Sequence, residues 1–401
     1  ISAGVNAGAV VVVTTLSFVR GHGSTPDGAA PPGQSSVPPP RAWLEPSPNP
    51  GRNDPPSARL RRPTGLRPPY AESGRFRWDP LWITVALMTR LGYQIPNFTY
   101  PGIGPDRLYE AVAAQARAAE TAGFDTVLVM DHFYQLPMLG QPDDYMVECY
   151  TLLGALARET SRVRLSALVT GNTYRNPAML AKVITALDIV SQGRAQLGIG
   201  AGWFELEHDA FGYEFGTFTD RFQKLEESLQ IILPMLRDER PSLDGAHYTV
   251  REAINQPPPV GPIPVMIGGA GEKKTLRMVA QYADESNLIC GVDEVGRKLE
   301  ALDAHCERLG RDRTEITVSH QSNLCIAPTH DEALAEITEF FGQGGVDLTA
   351  LDHDEREAVL SMVVWGDPDE VGEQLAARLA TGVDGFTMNM PANGHDPERV
   401  A

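Results

Sequence analysis

His132 follows Asp131 at the end of the apolar run Val127-Leu128-Val129-Met130. An imidazole at such a strand tip can pass a proton to or from a reacting molecule near neutral pH. A hydrogen-bonded structural histidine is the bland alternative, and the position favours chemistry. Zinc hydrolysis is disfavoured, because the first strand carries no His-x-His pair to complete a ligand set. Three more apolar runs end in small or polar residues: one in Thr170-Gly171-Asn172, one in Gly200-Ala201-Gly202-Trp203, one in Gly268-Gly269-Ala270-Gly271. The last turn opens a helix beside Lys273, Lys274 and Arg277, and free N–H groups at a helix start suit a phosphate. A solvated basic helix face is the competing reading. The alternating glycines 198, 200 and 202 let a backbone approach a flat ring, which makes Gly200, Ala201, Gly202 and Trp203 a candidate cleft wall. Tight packing of strand on helix would need the same glycines. A dinucleotide fingerprint is out of place here, since three strands precede it.

Something must bring those tips together. Eight strand–helix units are expected from Met88 onward, with strands near Arg90–Pro96, Thr126–Asp131, Val163–Thr170, Ala195–Gly200, Pro264–Gly268, Ser286–Cys290, Ile316–Ile326 and Gly385–Met390. Helical patterns separate them, as a parallel sheet requires. That count predicts an α/β protein with a (β/α)8 barrel, whose strand C-termini share one face and build the site there. About 65 residues lie between the fourth and fifth strands, with a hairpin-like stretch at His247–Arg251, and Gly342–Val363 reads as irregular. Long loops on such a face shape a substrate pocket.

The first 87 residues are different in kind. They contain no Met, Lys or Cys and hold 15 of the 32 prolines, without helical or strand periodicity. Such a stretch buries too little apolar surface to offset chain entropy, so residues 1–87 are expected as a disordered extension and 88–401 as the barrel domain. Met88 is the first methionine, which raises a start site placed too early as the origin of the extension. The apolar stretch Ala9–Val19 has no basic residue before it and is too short to span a bilayer. Nine Arg and five acids put +4 on residues 1–87, so the net −18 of the whole chain leaves −22 on the remainder. That surface repels nucleic acid and anionic membrane. Cys149, Cys290, Cys306 and Cys325 form no CxxC pair and no metal spacing, which suits a reducing cytoplasm.

Taken together, Gln94-Ile95-Pro96-Asn97, Val129-Met130-Asp131-His132-Phe133, Leu168-Val169-Thr170-Gly171-Asn172-Thr173-Tyr174-Arg175-Asn176-Pro177, Leu197 to Trp203 and Ile267 to Gly271 resemble the luciferase-like monooxygenase superfamily. The resemblance covers roughly residues 88–395 and is strongest to the branch that uses the deazaflavin coenzyme F420. It implies that Asp131 and His132 form a catalytic pair beside the deazaflavin ring, with His132 as acid/base and Asp131 orienting or polarising it. It also implies a non-proline cis peptide near Ala167-Leu168 that backs the ring, with Thr170 and Asn172 as further cofactor contacts. Gly268, Gly269, Ala270 and Gly271 match the phosphate loop, although Ala270 stands where a glycine is common. Lys273 and the Cys290-Gly291 loop join that cradle. Trp203 stands where some relatives carry a catalytic Glu, which counts against a sugar phosphate as substrate.

The expected function is hydride transfer between F420 and a small organic substrate, in a homodimer. The alternatives are an FMN-dependent monooxygenase that uses reduced flavin and O2, and a cofactor-binding protein without catalysis.

Overall fold

The computed structural model describes residues 89–401 apart from Met138. The expected extension at residues 1–87 lies outside the described residues. Twelve strands occur among the described residues: β1 (Arg90–Ile95), β2 (Thr126–Val129), β3 (Arg164–Ala167), β4 (Thr170–Gly171), β5 (Ala195–Gly200), β6 (Leu243–Asp244), β7 (Thr249–Val250), β8 (Val265–Gly268), β9 (Glu285–Leu288), β10 (Thr317–Ile326), β11 (Val363–Gly366) and β12 (Gly385–Asn389). Eight of them close a parallel barrel. β1 pairs with β2 and with β12, β12 with β10, and β10 with β9. The circuit is completed through β8, β5 and β3. The chain is therefore a (β/α)8 barrel, as the strand count predicts.

Side chains fill the barrel in layers. At the foot, Arg164 and Gln196 both reach Glu285, at 2.9 and 2.7 Å. In the middle layer the Asn287 amide donates to Ser319 and Thr387, at 2.9 and 3.0 Å. Glycine is forced there: a Cβ on Gly92 would sit 2.8 Å from the Leu128 side chain, and one on Gly198 would sit 2.0 Å from the Ala167 carbonyl. Above it, Gln94 Oε1 accepts from Gln321 and Asn389, at 3.0 and 3.2 Å. Helix starts follow from local caps. Asn176 accepts from the Ala178 and Met179 N–H groups ahead of Pro177–Ser191, and Thr217 with Asp220 forms a capping box for Phe218–Leu236.

Four local departures from expectation matter. The third strand does not run on to Thr170: it stops at Ala167, a cis bond joins Leu168 to Val169, and pairing resumes in β4. The excursion after β5 contains a helix, Glu205–Phe211. The helix after β8 begins at Thr275 rather than Glu272. The 342–363 region is more regular than expected, with a helix at His353–Leu360 followed by β11. β10 is ten residues long, and its far end, Asn323–Ile326, pairs with β11. A small core of Cys325, Ile337, Leu348, Leu360 and Val363 forms under that pairing. The hairpin expected near His247 is the antiparallel pair β6–β7. No helix among the described residues is long and apolar enough to cross a membrane.

Candidate active site

The candidate site residues from Asp131 to Gly291, Arg277 in the helix Thr275–Tyr282 apart, lie at or just beyond the C-terminal tips of barrel strands, which a parallel barrel gathers on one rim. His132 sits past the end of β2 with its side chain 14% exposed. Its Nδ1 lies 2.9 Å from Oε2 of Glu207, whose side chain is completely buried. A carboxylate can only accept, so Nδ1 carries the proton, and Nε2 has no partner among the described residues. Glu207 is held just as firmly. It accepts from the Phe133 and Tyr134 N–H groups and, at 2.7 Å, from the Tyr174 hydroxyl. Burial raises its carboxyl pKa, but the hydrogen bonds from His132, Tyr174 and Tyr134 outweigh that and hold it below the ordinary carboxylate range. Burial, then the neighbouring Glu207, pushes the Tyr174 phenol up, so it stays a donor.

Asp131 does something other than orient His132. Its carboxylate takes a two-pronged pair from Arg175, at 2.6 and 2.9 Å, and the Gly171 N–H at 3.0 Å. Burial disfavours the Arg175 charge, and Asp131 more than offsets it. This pair ties the β2 tip to the segment after β4. Thr170 is fully buried with its hydroxyl on the Tyr150 phenol, so its side chain faces the helix layer. Asn172, 2% exposed, leaves its Nδ2 without a partner.

The excursion after β5 is fastened at several points. Arg221 donates to the Gly202 and Gly216 carbonyls, at 3.1 and 3.0 Å, and lies over the Phe215 ring at 3.8 Å. His208, buried, bridges Thr173 and the Phe204 carbonyl, at 2.7 and 2.8 Å. Gly202 has φ +80°, and a Cβ there would press on the Thr173 hydroxyl at 2.9 Å. Trp203 stacks on Phe204 with ring centroids 5.2 Å apart, and both rings meet His132 edge-on at 5.8 Å. Ala201 is half-buried between them and the barrel. Val169, just after the cis bond, occupies the room left by two glycines. A Cβ on Gly200 or on Gly268 would lie 2.7 Å from its methyl groups. Leu168 packs with Leu128 and Met266 inside the barrel, and Ala167 is wholly buried beneath.

At the β8 tip, Gly269 adopts φ +116° and donates to the Asn287 carbonyl at 2.9 Å. The next five N–H groups, Ala270 to Lys274, meet no acceptor among the described residues. A Cβ on Gly271 would crowd the Thr275 hydroxyl at 2.9 Å. The three cations expected here are not equivalent. Arg277 is paired with Glu226 at 2.7 Å, and Lys274 lies over the Phe218 ring at 4.9 Å. Lys273 is exposed and has no salt-bridge or hydrogen-bond partner among the described residues. Past β9, the Cys290 carbonyl accepts from buried His320 at 2.9 Å, and burial pushes the Cys290 thiol up to about 11. Gly291 is exposed beside it.

Glu207, Tyr174, Arg175 and Arg221 were not singled out from the sequence. The signal for Glu207 was faint: one acidic residue among several in a short helix, with its partners His132, Phe133 and Tyr134 73–75 positions upstream.

The luciferase-like monooxygenase family model matches residues 89–385. The F420-dependent glucose-6-phosphate dehydrogenase of Microbacterium testaceum is 29% identical over 330 residues, which cover 77% of this chain and 93% of that protein. The enzyme of the same name from Rhodococcus hoagii is 30% identical over 308 residues, covering 70% and 87%. Two solved structures share the fold. An F420-dependent secondary alcohol dehydrogenase holding an F420-acetone adduct has a TM-score of 0.65 at 20% identity, covering 78% of this chain and 98% of that one. A monooxygenase from Streptomyces bottropensis has a TM-score of 0.66 at 19% identity, covering 78% and 97%. This chain belongs to the luciferase-like monooxygenase family and is an oxidoreductase of that class.

Proposed function

We propose that this protein transfers hydride between coenzyme F420 and a small organic substrate, with His132 Nε2 moving the substrate's proton. The observation that carries the proposal is the fixed tautomer of His132. Its Nδ1 is bound to a buried carboxylate while Nε2 remains free beside the strand tips. The relatives named as F420-dependent support the choice of coenzyme.

The residues present fit that coenzyme. Five unengaged N–H groups and Lys273 form a cradle for a phosphate at the β8 tip, with Gly291 and the Cys290 backbone flanking it. The orphaned Asn172 Nδ2 is a buried donor that calls for an acceptor. Gly200, Ala201, Gly202 and the Leu168–Val169 turn present a surface of backbone and small side chains, on which a flat ring can lie. When bound, F420 supplies the two-electron chemistry by taking up or giving a hydride at its ring. In the oxidising direction, His132 Nε2 takes the hydroxyl proton as the substrate alcohol becomes a carbonyl. In the reducing direction, it returns that proton. Glu207 holds the imidazole in place, and Asp131 with Arg175 holds the rim segment around it.

Separate titrations with F420 and FMN, followed by fluorescence quenching, test the reading. F420 is expected to bind and FMN to bind at least tenfold more weakly. Tight FMN binding without measurable F420 affinity would transfer the assignment to a flavin-dependent monooxygenase.

A further inference from the structure

We infer that the substrate is uncharged and carries a flat or apolar body that lies on Trp203, so that a phosphorylated sugar is excluded. The inference rests on the F420 reading above and names the substrate class for that same site. Two independent observations carry it.

The first is the wall. Trp203 is 58% exposed although its indole is anchored on Phe204 and touches the edge of His132. A molecule covering that indole removes apolar surface from water and stands next to the proton-moving nitrogen. Leu206 and Phe211, both exposed, extend the apolar surface along the same segment.

The second is the supply of positive charge. A substrate phosphate needs its own cation, and the cations around the β4, β5, β8 and β9 tips are already committed. Arg175 is held by Asp131 and Glu148. Arg221 is held by two backbone carbonyls, and Lys224 by Glu214. Lys274 lies on aromatic rings and Arg277 is held by Glu226. Arg297 and Lys298 share Glu272. Lys273 is the exception at these tips among the described residues, and the coenzyme's phosphate uses it. A second phosphate beside Trp203 would meet instead the exposed carboxylates of Glu205 and Asp209.

The test begins by measuring F420 binding, so that failure of the cofactor reading is seen separately. Calorimetric titrations then compare cyclohexanol, an uncharged ring, with glucose 6-phosphate. They use the F420-loaded protein, or the protein alone if F420 does not bind. Cyclohexanol is expected to bind at least tenfold more tightly. Trp203→Lys should weaken cyclohexanol at least tenfold and bring in glucose 6-phosphate binding that fades with added salt. Trp203→Leu, apolar but without the ring, provides the comparison if the lysine variant fails to fold, and it too should weaken cyclohexanol. Glucose 6-phosphate binding as tight as cyclohexanol, no binding of either probe, or unaltered cyclohexanol affinity in the variants overturns the inference.

Discussion

On the β2–β5 side of the rim the side chains hold one another: Glu207 accepts four hydrogen bonds and Asp131 three. On the β8 side five successive backbone N–H groups and the Lys273 ammonium have no hydrogen-bond partner among the described residues. The contrast separates two tasks. A group that moves a proton must stand in one orientation before the substrate arrives, and the Nδ1–Glu207 bond fits the role proposed for His132. A phosphate cradle does the opposite and keeps its donors for the ligand to satisfy.

If that division is right, substitutions on the two sides should fail in different assays. The largest effect is expected at His132. His132→Ala should lower turnover by about 10² to 10⁴ while F420 affinity and melting temperature change little. Turnover near wild type would remove the imidazole from the mechanism. Asp131→Ala comes next, and its deficit should be in stability. The Arg175 guanidinium would lose its two-pronged partner and keep only Glu148, at a cost of about 2–3 kcal/mol in urea unfolding. An unchanged unfolding midpoint would mean the pair contributes nothing, and the contrast between Asp131 and its neighbour would collapse.

Glu207→Gln should act through His132, lowering turnover by roughly 10- to 100-fold, with F420 affinity kept. It also has a pH signature. The folded state holds the Glu207 carboxyl below its ordinary range, so its stabilisation is present at neutral pH and is lost as pH falls below the ordinary carboxylate value towards the lowered one. Urea midpoints measured from pH 7 down to pH 3 should fall less steeply in the variant. The smallest effect is expected on the open side. Lys273→Ala should weaken F420 binding about three- to tenfold, more at low salt than at high, and leave turnover at saturating F420 intact. A drop in saturated turnover instead would place the lysine with the chemistry.

The barrel was legible because apolar runs with small or polar tips alternate with helical patterns. The strand Ala195–Gly200 matches the pattern residue for residue, and β12 ends one residue short of the expected Met390. β11 escaped notice because its partner is the overhanging end of β10, and overhang is a property of register that no local pattern records. In the site, His132 was visible by its place at a strand tip. Its true neighbour was not, because adjacency in sequence pointed to Asp131. Successive residues leaving a strand project to opposite sides, so Asp131 turned to Arg175 and His132 to Glu207. The proposed phosphate cradle was readable as a turn, but the sorting of Lys273 from Lys274 and Arg277 depended on Glu226 and Phe218, which belong to another helix.

Arg221 clasps both ends of the segment from Gly202 to Gly216 and so marks it as a cassette. One stretch of chain supplies the indole proposed to meet the substrate and the carboxylate that holds the histidine. Inheritance of the two is therefore linked. A wholesale loop exchange would change what the protein recognises and disarm it in the same stroke. New specificities in this lineage should instead arise by outward-facing replacements, at positions such as Leu206 and Phe211, while the carboxylate between them stays in register.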